Sequence, residues 1–421
     1  MRRRILVSTT IGNALEWFDF IVFGLLAGVI GKLYFPADSP FGSMMAALAT
    51  FGVAFVARPL GGVVFGLYAD RRGRKTALVA MIALMALGTG MIAVLPTYAA
   101  IGIAAPALLL LARLIQGFSA GGEFGGASAL LIEFAPEGRR GYYGAFQMMA
   151  QALAYAFGAG LALGLTGALT PETFGAWGWR IPFVCGLLIG PVGAYLRHRC
   201  DESPEFLANR AEDGASGVAL RQLADGRARD FAACFGVIAA GAAMNYVGVI
   251  FVPAYATANF GVPAMQAQIG LLVASLVAAA LVAPFGALSD RLGRRAVIGP
   301  AFVAFAALFW LFLHRFVAAP SVPNLWLLQA VGALFAAFAG PVPALMTEIF
   351  PVGVRATAAS LPFNIAGALF GGLAPFVNAW LIKTTGEPAA PAYYIVFVAA
   401  LGLGGLALFR PATLRPPRGA G

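Results

Sequence analysis

Gly66-Leu67-Tyr68-Ala69-Asp70-Arg71-Arg72-Gly73-Arg74-Lys75 recurs far down the chain as Gly286-Ala287-Leu288-Ser289-Asp290-Arg291-Leu292-Gly293-Arg294-Arg295. Each copy is a charged island between two long apolar stretches. A second echo keeps nearly the same offset: Glu133, Pro136, Gly138 and Arg140 return as Glu348, Pro351, Gly353 and Arg355. A polar loop that repeats between hydrophobic segments points to a duplicated unit embedded in a membrane. The composition agrees. The 421 residues are 60% hydrophobic and 11% charged, whereas a soluble domain carries about 25% charged residues. A span plus its connection takes about 35 residues, so the length accommodates twelve spans and leaves no room for a large domain outside the membrane. The expected fold is all-α: twelve transmembrane helices in two pseudo-symmetric six-helix bundles, the arrangement of a transporter that rocks one half against the other around a central site.

Apolar stretches fall at approximately 5–33, 43–69, 76–95, 104–134, 141–169 and 179–197, and again at 230–256, 265–288, 296–316, 323–349, 355–383 and 391–410. This predicts an N-terminal bundle over 1–196, a polar connector over 197–230 and a C-terminal bundle over 231–421. The net charge of +10 would suggest nucleic acid in a soluble chain, but here it is placed by side. With the N-terminus inside and alternation thereafter, every Lys and Arg is cytoplasmic except Lys32, Arg58, Arg113, Arg180, Arg315 and Lys383. Both termini are therefore expected in the cytoplasm of an inner-membrane protein. The apolar stretch after Arg2, Arg3 and Arg4 contains acids and runs as far as Lys32, so it reads as a first helix and not a cleaved leader. Cys185, Cys200 and Cys234 lack any CxxC spacing and indicate neither a disulfide framework nor a thiolate metal site.

Charges inside spans are costly, roughly 2.5 to 3.5 kcal/mol each at a helix centre on insertion scales, and so mark function. Five are expected there: Glu16 and Asp19 in the first span, Arg58 in the second, Arg113 and Glu123 in the fourth. The second half has none at comparable depth. From the 1.5 Å rise per residue, Glu16, Arg58 and Glu123 fall near the centre, with Asp19 and Arg113 somewhat outside it. Two acids sharing one guanidinium cannot both stay ionised cheaply. Asp19, Glu123 and Glu16 are thus proton-coupling candidates, and Arg113 and Arg58 are either bidentate sites for an anionic substrate or counter-ions to those acids. The plain alternative is a permanently paired network that fixes helices. Arg113, Gln116 and Glu123 share one face of the fourth span, as do Gln147, Gln151 and Tyr155 on the fifth. With Asn245, Tyr246, Tyr255 and Asn364 of the second half they are candidate substrate contacts, or else interhelical hydrogen bonds.

The chain resembles the major facilitator superfamily and, within it, the metabolite:proton symporters that include citrate and proline/betaine transporters. The two Gly-x-x-x-Asp-Arg-x-Gly-Arg loops carry the broad likeness. The narrower one lies in Gly12-Asn13-Ala14-Leu15-Glu16-Trp17-Phe18-Asp19-Phe20, Arg58-Pro59-Leu60-Gly61-Gly62, Arg113 through Glu123, and Trp177-Gly178-Trp179-Arg180-Ile181-Pro182-Phe183. The resemblance implies gating by Gly66, Asp70, Arg71, Gly73 and Arg74, by Asp290, Arg291 and Arg294, and by Glu133, Arg140, Glu348 and Arg355. An acid and clustered arginines at helix ends can bind a neighbouring helix N-terminus in one conformation only. It also implies a proton-coupled symporter of a small hydrophilic metabolite. A citrate-like di- or tricarboxylate is favoured by the two buried arginines; a proline/betaine-type osmolyte, or a uniporter or transport-like receptor, is the alternative. Enzymatic readings lack material. His198 and His314 sit near span ends, GxxxxGK[ST] is absent, and the adjacent acid pairs lie in the connector. No cofactor is expected beyond protons as coupling ion, no metal, no nucleic acid and no obligatory protein partner; the bilayer and a small metabolite are the expected partners.

Overall fold

In the computed structural model, residues 13–14, 17–72, 74–121, 131–132, 135–187, 228–350 and 355–410 are described. They form twelve helical rods. The first half contributes α1 (Trp17–Leu25 and Ala27–Tyr34, bent by 66°), α2 (Pro40–Arg72), α3 (Arg74–Val94), α4 (Ala104–Ala120), α5 (Arg140–Ala168) and α6 (181–187). The second contributes α7 (Ala228–Phe260), α8 (Ala264–Leu292), α9 (Arg294–Ala318), α10 (Val322–Ile349), α11 (Ser360–Thr385) and α12 (Ala390–Leu408). Among the described residues eight helices are long and apolar enough to cross a membrane, nine if the bent α1 counts as one. The connector predicted over 197–230 lies outside the described residues up to 227.

Local chemistry sets the helix ends. Ser321 accepts a bond from the Asn324 backbone and Pro323 follows it, so α10 starts where a side-chain oxygen covers an orphan N–H. Leu95-Pro96 ends α3, and the stranded Leu95 carbonyl accepts from Tyr34 Oη at 2.8 Å and from Arg180 Nη2 at 2.9 Å. The Leu95 carbonyl therefore ties the end of α3 to Tyr34 at the end of α1 and to Arg180 at the start of α6. Gly293 has φ +91° at the turn between α8 and α9, a conformation that explains why the repeated loop carries a glycine there.

Packing follows the internal repeat. The two halves meet chiefly along α5 with α8 and α2 with α11. A pseudo-twofold that carries α2 onto α8 and α5 onto α11 exchanges these two seams, as duplication requires. Small residues let backbones touch: a Cβ on Gly117 would overlap the Ala54 carbonyl, and one on Gly121 the Arg58 carbonyl, so α4 lies directly against α2. Gly371 meets Tyr246 and Ala242 similarly, whereas nothing lies near Gly367. Two stretches widen into π-helix, Val247–Phe251 in α7 and Gly367–Gly372 in α11.

Candidate functional site

A cavity of about 60 Å³ lies between the halves, room for a few waters. Its polar wall is Arg58, Gln151, Asn245, Tyr246 and Asn364; its apolar wall includes Trp17, Phe55, Phe335, Phe338 and Phe363. Five predicted substrate contacts, drawn from α2, α5, α7 and α11, are thus brought to one place. The Arg58 guanidinium lies 5.0 Å from each of the Trp17, Phe20 and Phe55 ring centroids, an aromatic setting worth roughly 0.5 to 2 kcal/mol per favourable face.

Arg113, Gln116, Gln147 and Tyr155 are buried but do not line the cavity. Arg113 packs on Phe20, Phe23 and Phe51, with its guanidinium 4.3 Å from the Phe23 centroid. Its Nη1 donates to Gln116 Oε1 at 2.7 Å, Gln116 Nε2 donates to Thr89 Oγ1 at 2.8 Å, and Thr89 Oγ1 donates to Asp19 Oδ2 at 2.9 Å. Asp19 is therefore tied to Arg113 through two neutral side chains. Tyr155 Oη accepts from Asn245 Nδ2 at 2.5 Å, a bond across the two halves. Asn364 Nδ2 crosses as well, to the Gly121 carbonyl at 3.0 Å. The Gln147 backbone carbonyl accepts from Asn13 Nδ2 at 3.0 Å. Tyr255 stands elsewhere, its hydroxyl donating to the Pro388 carbonyl. Glu16 and Glu123 lie outside the described residues.

At the arginine-rich ends the second repeat forms a connected cluster. Asp290 accepts from the Gly141 and Tyr142 backbone N–H groups at 2.7 and 2.9 Å, so its carboxylate seals the start of α5 from across the seam. Arg294 bonds Asp290 Oδ1 at 2.8 Å and Glu348 Oε1 at 2.6 Å. The close crossing of Gly141 and Gly286 permits this approach, since neither has space for a Cβ. Arg291 is exposed and Arg140 opens α5. Gly66, Asp70, Arg71 and Arg74 are helical, but the side chains of the last three, with that of Arg355, lie outside the described ones, as do Gly73 and Glu133.

Sequence reasoning missed Thr89 and the aromatic wall. A threonine between Gly88 and Gly90 carries no charge to flag it, and phenylalanines do not stand out among the other apolar residues of a span.

A family model described as "Sugar (and other) transporter" matches residues 5–233, and one described as "Major Facilitator Superfamily" matches residues 233–421. A citrate-proton symporter of Klebsiella pneumoniae is 38% identical, over 94% of this chain and 89% of its own. A proline/betaine transporter of Salmonella typhimurium is 35% identical, over 99% and 85%. The crystal structure of a D-xylose-proton symporter superposes with a TM-score of 0.75 at 17% identity, covering 98% of each chain, and shares the fold.

Proposed function

Because the chain belongs to the major facilitator superfamily and is a multi-pass membrane transporter, not an enzyme, we propose that it is a proton-coupled symporter of a small carboxylate-bearing metabolite, working by alternating access. The observation that carries this is the cavity between the halves, where the Arg58 guanidinium stands among neutral amides and aromatic rings. A carboxylate gains two parallel charge-assisted bonds from such a group. Asp19 is the favoured proton carrier, being a buried acid held in a hydrogen-bonded network beside that wall, with Glu123 and Glu16 as further candidates. Arg113 is then a counter-ion within the network. The distribution of basic residues supports both termini on the cytoplasmic side of an inner membrane, and no protein partner is required.

A citrate-like di- or tricarboxylate is the substrate the two buried arginines suggested. A specific observation favours the second reading, a zwitterion of the proline/betaine kind: Arg58 is the sole charged residue among the described residues lining the cavity, and aromatic faces suit an alkylated ammonium.

The test is uptake into liposomes holding the purified protein under an imposed pH gradient. Each net charge moved through 100 mV is worth about 2.3 kcal/mol, close to fiftyfold accumulation. Wild type accumulates citrate or betaine when the outside is acid, while Asp19→Asn only equilibrates it. Uptake indifferent to the gradient in wild type would sink the symporter reading.

A further inference from the structure

We propose that the Thr89 hydroxyl is the positioning group that ties the protonation state of Asp19 to the guanidinium of Arg113. This rests on the proton-coupled reading above and adds to it the element that transmits the proton's arrival.

The direction of the hydrogen-bond chain is fixed by which atoms can donate. A guanidinium only donates, so Gln116 must present its oxygen to Arg113 Nη1 and its NH₂ to Thr89. Thr89 Oγ1 must then accept from Gln116, and its single hydrogen goes to Asp19 Oδ2. Arg113 and Asp19 are thus the donor and acceptor ends of one polarised chain, and its last bond is strong only while Asp19 is a carboxylate. A proton arriving on Asp19 from water forms an O–H bond and cancels the negative charge. On Oδ2 its hydrogen meets that of Thr89 directly; on Oδ1 the chain keeps only a neutral acceptor. In either case the hydroxyl loses its charged partner, and Gln116 and Arg113 lose the anchor that orients them.

The surroundings leave little slack. Thr89 and Gln116 are fully buried. A Cβ on Gly88 would strike Gln116, and one on Gly186 would overlap Asp19 Oδ1, so the carboxylate lies against the α6 backbone. Arg113 of α4 interacts with Asp19, and Arg58 of α2 interacts with Arg113 in turn. On α3 the ionisable residues are Arg74 and Lys75 at the far end; described α6 offers only Cys185. Tyr155 on α5 acts with Tyr246 and Asn245. Glu16 of α1 is outside the described residues. The signal has a path outward, because the Phe20 ring stands between Arg113 and Arg58, 5.2 and 5.0 Å from their guanidinium carbons, and Arg58 lines the cavity.

The experiment compares Thr89→Val, which keeps the shape and removes the hydroxyl, with Thr89→Ser, which restores it. Both are reconstituted, and two rates are measured for radiolabelled citrate and betaine: acid-driven uptake against pH, and solute exchange at equal pH on both sides. Loss of a bond that favours the carboxylate moves the uptake midpoint of Thr89→Val up by about one pH unit. Its accumulation falls about tenfold while exchange stays within about twofold of wild type. Thr89→Ser returns the wild-type midpoint. Gln116→Glu is the second variant: an acceptor facing Thr89 redirects its hydrogen, so the midpoint rises here too even if Thr89→Val fails to fold. A wild-type midpoint in Thr89→Val or Gln116→Glu, or a Thr89→Ser midpoint displaced as far as that of Val, overturns the role of Thr89. Wild type without acid-driven uptake defeats the symporter reading instead.

Discussion

The two halves handle buried polarity in opposite ways. Within the first, Asp19, Arg58 and Arg113 are deeply buried, both arginines pack on aromatic rings, and Arg113 is joined to Asp19 through Gln116 and Thr89. In the second, the buried polar groups described at mid-helix are amides and hydroxyls, among them Asn245, Gln268, Ser275, Gln329, Asn364 and Asn378, while Asp230, Asp290 and Arg294 keep to the arginine-rich ends. These neutral groups bond largely to backbone carbonyls: Gln329 Nε2 donates to the Ala267 carbonyl of α8, and Asn378 Nδ2 to the Ala374 carbonyl of its own helix. A half built this way responds little to protons or voltage. Under the proposed function the difference amounts to a division of labour, in which the first half senses charge and the second provides the surface against which it moves.

The largest effect tests how tightly the sensing half is built. Gly117→Leu drives a side chain into the Ala54 backbone, where no rotamer can relieve the clash, and should abolish recovery of folded protein in size-exclusion profiles. Gly404→Leu on α12, where nothing lies within 4 Å, should change thermal stability by no more than about 0.5 kcal/mol. Equal recovery of both variants would break the claim that α2 and α4 are locked backbone to backbone.

Next comes the charge the second half does use. Asp290→Asn keeps the shape but weakens charge-assisted bonds to the start of α5 and to Arg294, each worth about 1.5 to 3 kcal/mol. The seam should loosen at the arginine-rich side. With the native cysteines replaced, an Ala242→Cys reporter on the cavity wall should react with a maleimide about tenfold faster in the Asp290→Asn background. An unchanged rate would mean that the cluster is a surface ornament and not a latch.

Much of this was legible in the chain, and the illegible part has a physical cause. Span positions came from hydropathy, because a membrane span must be apolar along its length. The repeated loops marked helix ends, and Gly293 at φ +91° shows why a glycine recurs in them. Arg58, Gln151, Asn245, Tyr246 and Asn364 were identifiable as polar residues in apolar surroundings, and they meet at one cavity. Helical phase could not say that Gln116 turns inward to Thr89 while Gln151 faces the cavity; that depends on which neighbouring helix approaches. The 66° bend of α1 at Leu26 has no proline to announce it. The π segments of α7 and α11 follow from packing against other helices, and a single-sequence pattern does not record such contacts.

The smallest effect sharpens the comparison at the point where the halves touch through neutral groups. Asn245 Nδ2 and Tyr155 Oη join α7 to α5 beside the cavity, and neither carries charge. Tyr155→Phe leaves the amide without that acceptor, and Asn245→Ala leaves the hydroxyl without that donor. Each should cost about 1 kcal/mol, read as a roughly fivefold change in transport KM. If the two atoms act as one link, the double variant costs no more than either single one, and the cycle returns a coupling of about 1 kcal/mol. That coupling should be the same at pH 6 and pH 8, since nothing in the pair titrates there. Strict additivity would deny the link. A coupling that changed between the two pH values would place proton sensitivity in the second half as well and undo the division between sensor and surface.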